Sequence, residues 1–406
     1  MFFIVACSEK KIVQSPEETA IDIDNSIATY RNSNDRSNSF TWYGKNVSTH
    51  SKLWSHQFND YFIYETNHLT IDRYIASPLI CKDSLYQAYP DGKLVGFSLQ
   101  TGKVMYSLDT NVPIFSTPTI AYPFLFFGSA DKQFYCFNLE TKKKMWNFNV
   151  NDDIAESSLY KDQTIFFASK SGNVYAMNTI NGQLLWTRKI AWNTYYSMSI
   201  CEDSLFIASS SNEAELYSLD LETGEQQWVY IVPNKEYFIS SPIVQSHSII
   251  FCSNNSLFVI QSSDGTLRWK QDRKQYNLTE ENVTVSQEKI CFADIYSLSI
   301  YEIESGKLLD QTFFQDQFSY INHLTSTQEG KYIFFSGSLV SSGLPYPTGV
   351  ICKFDVETSK IIWKHQFPSA MNVNFYIPLG LYKDYIYCST AERYPAGFNC
   401  NIYVFK

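Results

Sequence analysis

The chain has 406 residues, 44% hydrophobic and 17% aromatic, and a formal net charge of −9. That apolar content suffices for a large core. The negative balance, with no basic run interleaved with aromatics, argues against a nucleic-acid surface and against general attraction to anionic lipid.

The chain opens MFFIVACSEKK. Ile4-Val5-Ala6-Cys7 resembles the end of a bacterial lipoprotein signal, in which an aliphatic residue and small residues precede the Cys that receives the lipid. The apolar stretch before Cys7 is only about five residues and lacks a basic start, so residues 1–7 are expected to be the truncated end of such a signal, with Cys7 the lipidation site. Residues 8–39 are rich in Ser, Asn, Asp and Glu and poor in large apolar side chains. Such a composition cannot bury much surface and reads as a flexible tether.

From residue 40 onward the sequence repeats itself. The stretches ending LETKKKMW at Trp146, INGQLLW at Trp186, LETGEQQW at Trp228, SSDGTLRW at Trp269 and ETSKIIW at Trp363 share one pattern, with weaker copies ending at Tyr106 and Asp310 and a further anchor at Trp54. Successive anchors lie 52, 40, 40, 42, 41, 41 and 53 residues apart, a period that indicates a propeller or solenoid. Gly102, Gly182, Gly224, Gly265 and Gly306 stand four residues before their anchors, each after a small polar residue. That pair suits a tight hairpin turn, and the alternating apolar flanks read as strands. Upstream of each hairpin sits another pair of apolar runs, several opened by Ser77-Pro78, Thr117-Pro118 or Ser241-Pro242, which makes four strands per unit.

The opening Ser-Pro, the Tyr-Ala-like strand, the Thr-Gly turn and the Trp four residues after the Gly resemble the PQQ-like β-propeller repeat, also called the tryptophan-docking repeat. The resemblance spans roughly residues 42–406. It implies an all-β fold, an eight-bladed β-propeller of four-stranded antiparallel blades, with residues 40–406 as one domain. It also implies that Trp54, Trp146, Trp186, Trp228, Trp269 and Trp363 wedge between blades and pack on the next blade's turn. Tyr106 and Asp310 depart from the pattern, and the Asp310 junction is expected to be looser. The last residues, Asn401 to Lys406, read as a third strand with no fourth after them. The strand bearing Trp54 is expected to supply it and shut the ring, which removes exposed sheet edges; seven blades with a loose N-terminal strand is the alternative.

Chemistry-bearing motifs are sparse. The nine Cys include no CxxC, CxxCH or vicinal pair, and several replace small buried residues, so they read as core thiols; Cys388 with Cys400 is the pair to test as a disulfide. The six His show no HExxH and no ligand set for a metal. Asp152-Asp153 and Glu280-Glu281 are sequence neighbours, which cannot face one bond from two sides. A quinoprotein dehydrogenase is the enzyme that the family resemblance suggests, but its vicinal Cys pair and metal ligands are not recognisable, and fold alone confers no activity. No cofactor is therefore expected.

The resemblance favours a non-enzymatic scaffold of the cell envelope, similar to the propeller lipoprotein of the outer-membrane β-barrel assembly machinery. It would sit on the periplasmic face of the outer membrane, touch the membrane through its lipid anchor alone, and bind an envelope protein partner, with an outer-membrane assembly complex as one candidate. Trp192, Tyr195, Tyr196, Tyr237 and Phe238 lie between a Trp strand and the next blade's first strand, where they suit a protein-binding patch or the start of inner strands packed against the channel. Binding of a carbohydrate or another small ligand in that channel is a further reading of the same aromatic richness.

Overall fold

One repeat shows how the sequence makes a blade. Residues 159–189 form the strands Leu159–Lys161, Thr164–Ala168, Asn173–Asn178 and Leu184–Lys189, paired antiparallel in that order. Asp162 and Gln163 both adopt positive φ between the first two strands, and Gly182 does so before the fourth, as two-residue hairpins and left-handed turn positions require. Ile165, Phe167, Val174, Ala176 and Met177 are all buried, so the middle strands hide both faces. Sheets stacked face to face on either side account for this and for the continuous apolar runs. The outer strand is exposed except at Trp186.

The computed structural model describes residues 27–28, 39–40, 50–58, 76–114, 116–154, 157–191, 197–210, 213–238, 240–272, 282–314, 317–327, 329–339, 348–367, 372–375, 379–394 and 397–406. Eight sheets follow one another, here blades 1 to 8: residues 79–109, 119–149, 159–189, 199–231, 243–272, 283–313, 318–366, and 372–405 with 52–58. In blade 8 the strand Lys52–Phe58 pairs antiparallel with Gly397–Phe405, opposing Trp54 to Val404. Ser51 and Lys406 exchange backbone hydrogen bonds at 2.9 and 3.0 Å. The two ends of the chain thus build one blade, and the eight-bladed closure stands over the seven-bladed alternative.

The core is divided among the junctions. Eight buried clusters each draw on two neighbouring blades. The cluster between blades 8 and 1 joins Leu85 and Phe97 to Tyr387, Ile402 and Val404, so the closing junction is packed like the rest. Two short N-terminal pieces join innermost strands. Ile27–Ala28 pairs antiparallel with Thr119–Ala121 of blade 2, and Ser39–Phe40 pairs parallel with Phe318–Thr327 of blade 7.

The cysteines occupy this core. Cys81, Cys136, Cys252, Cys291, Cys352 and Cys388 are buried thiols, while Cys201 is disulfide-bonded. The expected pairing of Cys388 with Cys400 is therefore corrected. In the ladder Cys388 faces Tyr403 and Cys400 faces Ala391, so the two lie three positions out of register.

Candidate interaction surface

Every junction between blades is made by a side chain of the outer strand reaching the next blade's turn. Trp54 Nε1 donates to the Leu99 carbonyl at 2.8 Å, Trp146 to Thr179 at 2.9 Å, Trp186 to Leu221 at 2.9 Å, Trp228 to Ser262 at 3.1 Å and Trp269 to Ile303 at 2.7 Å. In these five cases the carbonyl lies three residues before the turn glycine, and a Cβ added at that glycine would come within 2.6 or 2.7 Å of the indole. The glycine is required twice, for its positive φ and for the approach of the ring. Trp363 closes onto blade 8, donating to the His50 carbonyl at 3.0 Å.

The two departures are structured as well. The Tyr106 hydroxyl donates to the Leu139 carbonyl at 2.8 Å, and the Lys142 ammonium, at the position other turns give to glycine, sits 4.9 Å from the Tyr106 ring centre. Asp310 accepts a hydrogen bond from Ser359 Oγ at 2.7 Å. Where a looser junction was expected, a polar contact replaces the indole.

Hydroxyls link the blades around the hub. Thr119 Oγ1 donates to the Ser158 carbonyl at 2.8 Å and accepts from Ser158 Oγ at 2.9 Å. The Ser197 amide donates to Ser241 Oγ at 3.0 Å, and Thr284 and Ser326 share a hydrogen bond at 3.0 Å. These residues are almost wholly buried. They satisfy one another across blades, which is a structural use of polar groups rather than a display of them.

At the outer surface the loop from blade 4 to blade 5 combines a buried anchor with an exposed ring. Glu236 is buried, accepts from Ser253 Oγ, and lies 3.1 Å from Lys270 Nζ, which also reaches Asp272 at 3.1 Å. The Tyr237 amide donates to Asn254 Oδ1 at 2.9 Å, and its carbonyl accepts from the Asn254 amide at 3.0 Å. The Tyr237 backbone is thus held from both sides, and the residue is 56% exposed. Phe238 is the correction: it is 0% exposed and packs 5.0 Å from the Phe251 ring. An isolated β-bridge to Ser253 seats it inward against that ring, so it cannot touch a partner. Trp192, Tyr195 and Tyr196 lie outside the described residues, as does Cys7. Nothing in the sequence marked Glu236 as the loop's anchor, because its partners are Ser253, Ser256 and Lys270 of the next blade.

Reactive chemistry is scarce in this framework. Among the described residues no group of three or more His, Cys, Asp or Glu side chains converges as metal ligands would. Burial pushes the Cys81 thiol up to about 11 and those of Cys291 and Cys352 up to about 12, the opposite of what a nucleophilic thiolate needs.

Fold and junctions together define the class: a closed eight-bladed propeller interlocked by tryptophan docking. A family model described as outer membrane protein assembly factor BamB matches residues 46–202 and 197–387. The chain belongs to that PQQ-like propeller family. A comparison with curated proteins finds no match. Among solved structures, BamB from Moraxella catarrhalis is similar at 12% identity and a TM-score of 0.61, covering 87% of this chain and 97% of that one. A europium-containing methanol dehydrogenase is similar at 10% identity and a TM-score of 0.70, covering 93% and 98%. The computationally designed Ika8 protein is similar at 10% identity and a TM-score of 0.60, covering 80% and 95%. Identities this low speak for the shared fold alone.

Proposed function

We propose that this chain is a non-enzymatic scaffold of the bacterial cell envelope that holds a protein partner on its outward loops, with outer-membrane protein assembly as its process. The observation that carries the reading is Tyr237, an exposed aromatic pinned by its own backbone and by the buried Glu236 beside it. A preorganised aromatic loses little freedom on binding and is what interface hot spots use. Membership of the family described by BamB supports the same process. Lipidation of Cys7 would hold the propeller at the periplasmic face of the outer membrane.

One observation on the described residues favours a scaffold over the competing dehydrogenase chemistry. A polyvalent metal ion needs converging carboxylates, and no such group forms among them. The hydroxyls of Thr119 and Ser158, and of Thr284 and Ser326, are engaged with one another across blades. No observation favours a carbohydrate in the channel over a protein on the loops.

The test is a photo-reactive benzoylphenylalanine placed at Tyr237 in the full chain and irradiated in living cells. The reading expects an adduct with a component of the outer-membrane assembly apparatus. An adduct with an envelope protein of another system would reassign the process, and no adduct at all would overturn the loop as a binding surface.

A further inference from the structure

Each outermost strand carries a β-bulge at the residue just before its docking side chain. The ladder skips Leu53, Met105, Met145, Leu185, Gln227, Arg268, Leu309 and Ile362 in turn. A bulged residue is unpaired, and here it stands on the circumference of the ring. On four consecutive blades, 8, 1, 2 and 3, the bulge is apolar and open to solvent: Leu53 is 41% exposed, Met105 69%, Met145 46% and Leu185 50%. Val104 and Leu184 beside them are 55% and 37% exposed. Blades 4 and 5 place Gln227 and Arg268 at the same position, whereas blade 6 places an apolar Leu309 there, 45% exposed, with Phe313 of the same strand 67% exposed.

Charge, rather than apolar exposure, sets this arc apart from blade 6. The outer strands and turns of blades 8 to 3 carry Lys52, Lys103, Lys142, Lys143, Lys144, Arg188 and Lys189 against Asp109 and Glu140, although the whole chain is −9. Those of blades 4 to 6 carry Glu222, Glu225, Asp264, Asp272, Glu304 and Asp310 against Arg268, Lys270 and Lys307. Lys103, Lys143 and Lys144 are exposed and form no ion pair among the described residues.

We infer that this arc, blades 8 through 3, is a docking edge for an anionic phospholipid surface. Lysines flanking separate apolar tips are the arrangement of proteins that lie on a bilayer: the ammonium groups meet phosphates while Met and Leu enter the boundary of headgroup and acyl chain. The geometry selects lipid over protein. The central tips, Met105 and Met145, stand on a convex rim beside lysines that form no ion pair among the described residues, and a headgroup layer needs no matching hollow for them as a rigid protein partner would. A single acyl chain binds membranes only marginally, so a lipid on Cys7 and this edge would act as two signals. The inference does not require the lipid.

The test uses the full chain carrying Cys7→Ser, floated with vesicles of phosphatidylcholine alone or of phosphatidylcholine mixed with phosphatidylglycerol. The edge predicts binding to the mixed vesicles, weakened by salt. The pair Lys143→Glu and Lys144→Glu, and separately the pair Met105→Ser and Leu185→Ser, should each lower it at least about tenfold. Leu309→Ser, at the equivalent bulge of blade 6, should leave it unchanged. Thermal melts of each variant confirm that the propeller is intact. Equal binding to both vesicle types, binding unaffected by the blade 1 to 3 substitutions, or no flotation would overturn the inference. So would self-association abolished by those same substitutions, which would assign the arc to a second copy of the chain.

Discussion

Ser359 Oγ donates to Asp310 Oδ2 at 2.7 Å, across the junction where the docking position carries no aromatic ring and the facing turn carries no glycine. At the neighbouring junction a Cβ on Gly306 would come within 2.7 Å of Trp269 Cδ2. An indole and a Cβ therefore exclude each other, and an Asp makes room for a Ser. The two departures from the repeat are one coupled change.

A double-mutant cycle measures that coupling. Asp310→Trp alone should destabilise by about 1–3 kcal/mol, because the ring meets Ser359 Cβ. Ser359→Gly alone loses the hydrogen bond and relieves a positive φ, effects of about 1 kcal/mol each and of opposite sign. Together the two should recover a docked indole, with a coupling of at least about 1 kcal/mol by denaturant melts. Strict additivity would show the sites to be independent.

Trp186 and Gly224 make the complementary case. Trp186→Ala should cost about 3–5 kcal/mol through the cavity it leaves. Gly224→Ala should also destabilise, since its φ of +70° is strained for alanine and the new Cβ would lie 2.6 Å from Trp186 Cε3. Urea unfolding of both variants checks this, and a neutral Gly224→Ala would remove the close approach from the account.

Much of this architecture was legible in the sequence because a repeat reports the same local physics many times over. The Gly-to-Trp spacing revealed the turn and the outer strand, and the incomplete final unit revealed how the ring shuts. What was hidden depended on contacts between repeats. Asp310 read as a weak wedge because Ser359, its partner, lies in the next unit. Phe238 looked like Tyr237 until its bridge to Ser253 and the Phe251 ring placed it inside. The arc of exposed bulges was invisible because Met145 and Leu185 resemble core residues in composition, and their exposure follows from the skipped ladder position.

The junction between blades 7 and 8 carries two buried bases, and their titration should be visible in stability. Burial first, with Lys331 adding and Asp355 opposing, brings the Lys353 ammonium from 10.5 down to about 8. Between pH 8 and 10.5 the unfolded chain then binds more protons than the folded one, so stability contributed here rises with pH across that window. Below about pH 8 the cost of the buried charge is fully present. Lys353→Met should therefore stabilise at pH 7 by up to about 3 kcal/mol, and the gain should fade towards pH 10.5.

His50 has the matching sign at acid pH. Burial, then the nearby Lys353, with Asp384 opposing, holds it down at about 4 against an ordinary 6.5. The folded state keeps it neutral, so its contribution is intact above pH 6.5 and is lost as pH falls towards 4. Its ring lies 5.1 Å from that of Trp363, and His50→Phe should flatten the acid limb of the stability curve. An unchanged limb would place the acid sensitivity elsewhere.

The most direct test of a scaffold that works through its surface is calorimetric titration of the full chain with pyrroloquinoline quinone and calcium, followed by an absorption spectrum. The account predicts no saturable binding and no quinone chromophore. A stoichiometric complex in the hub, with oxidation of an alcohol in the presence of an electron acceptor, would contradict it and make this propeller an enzyme.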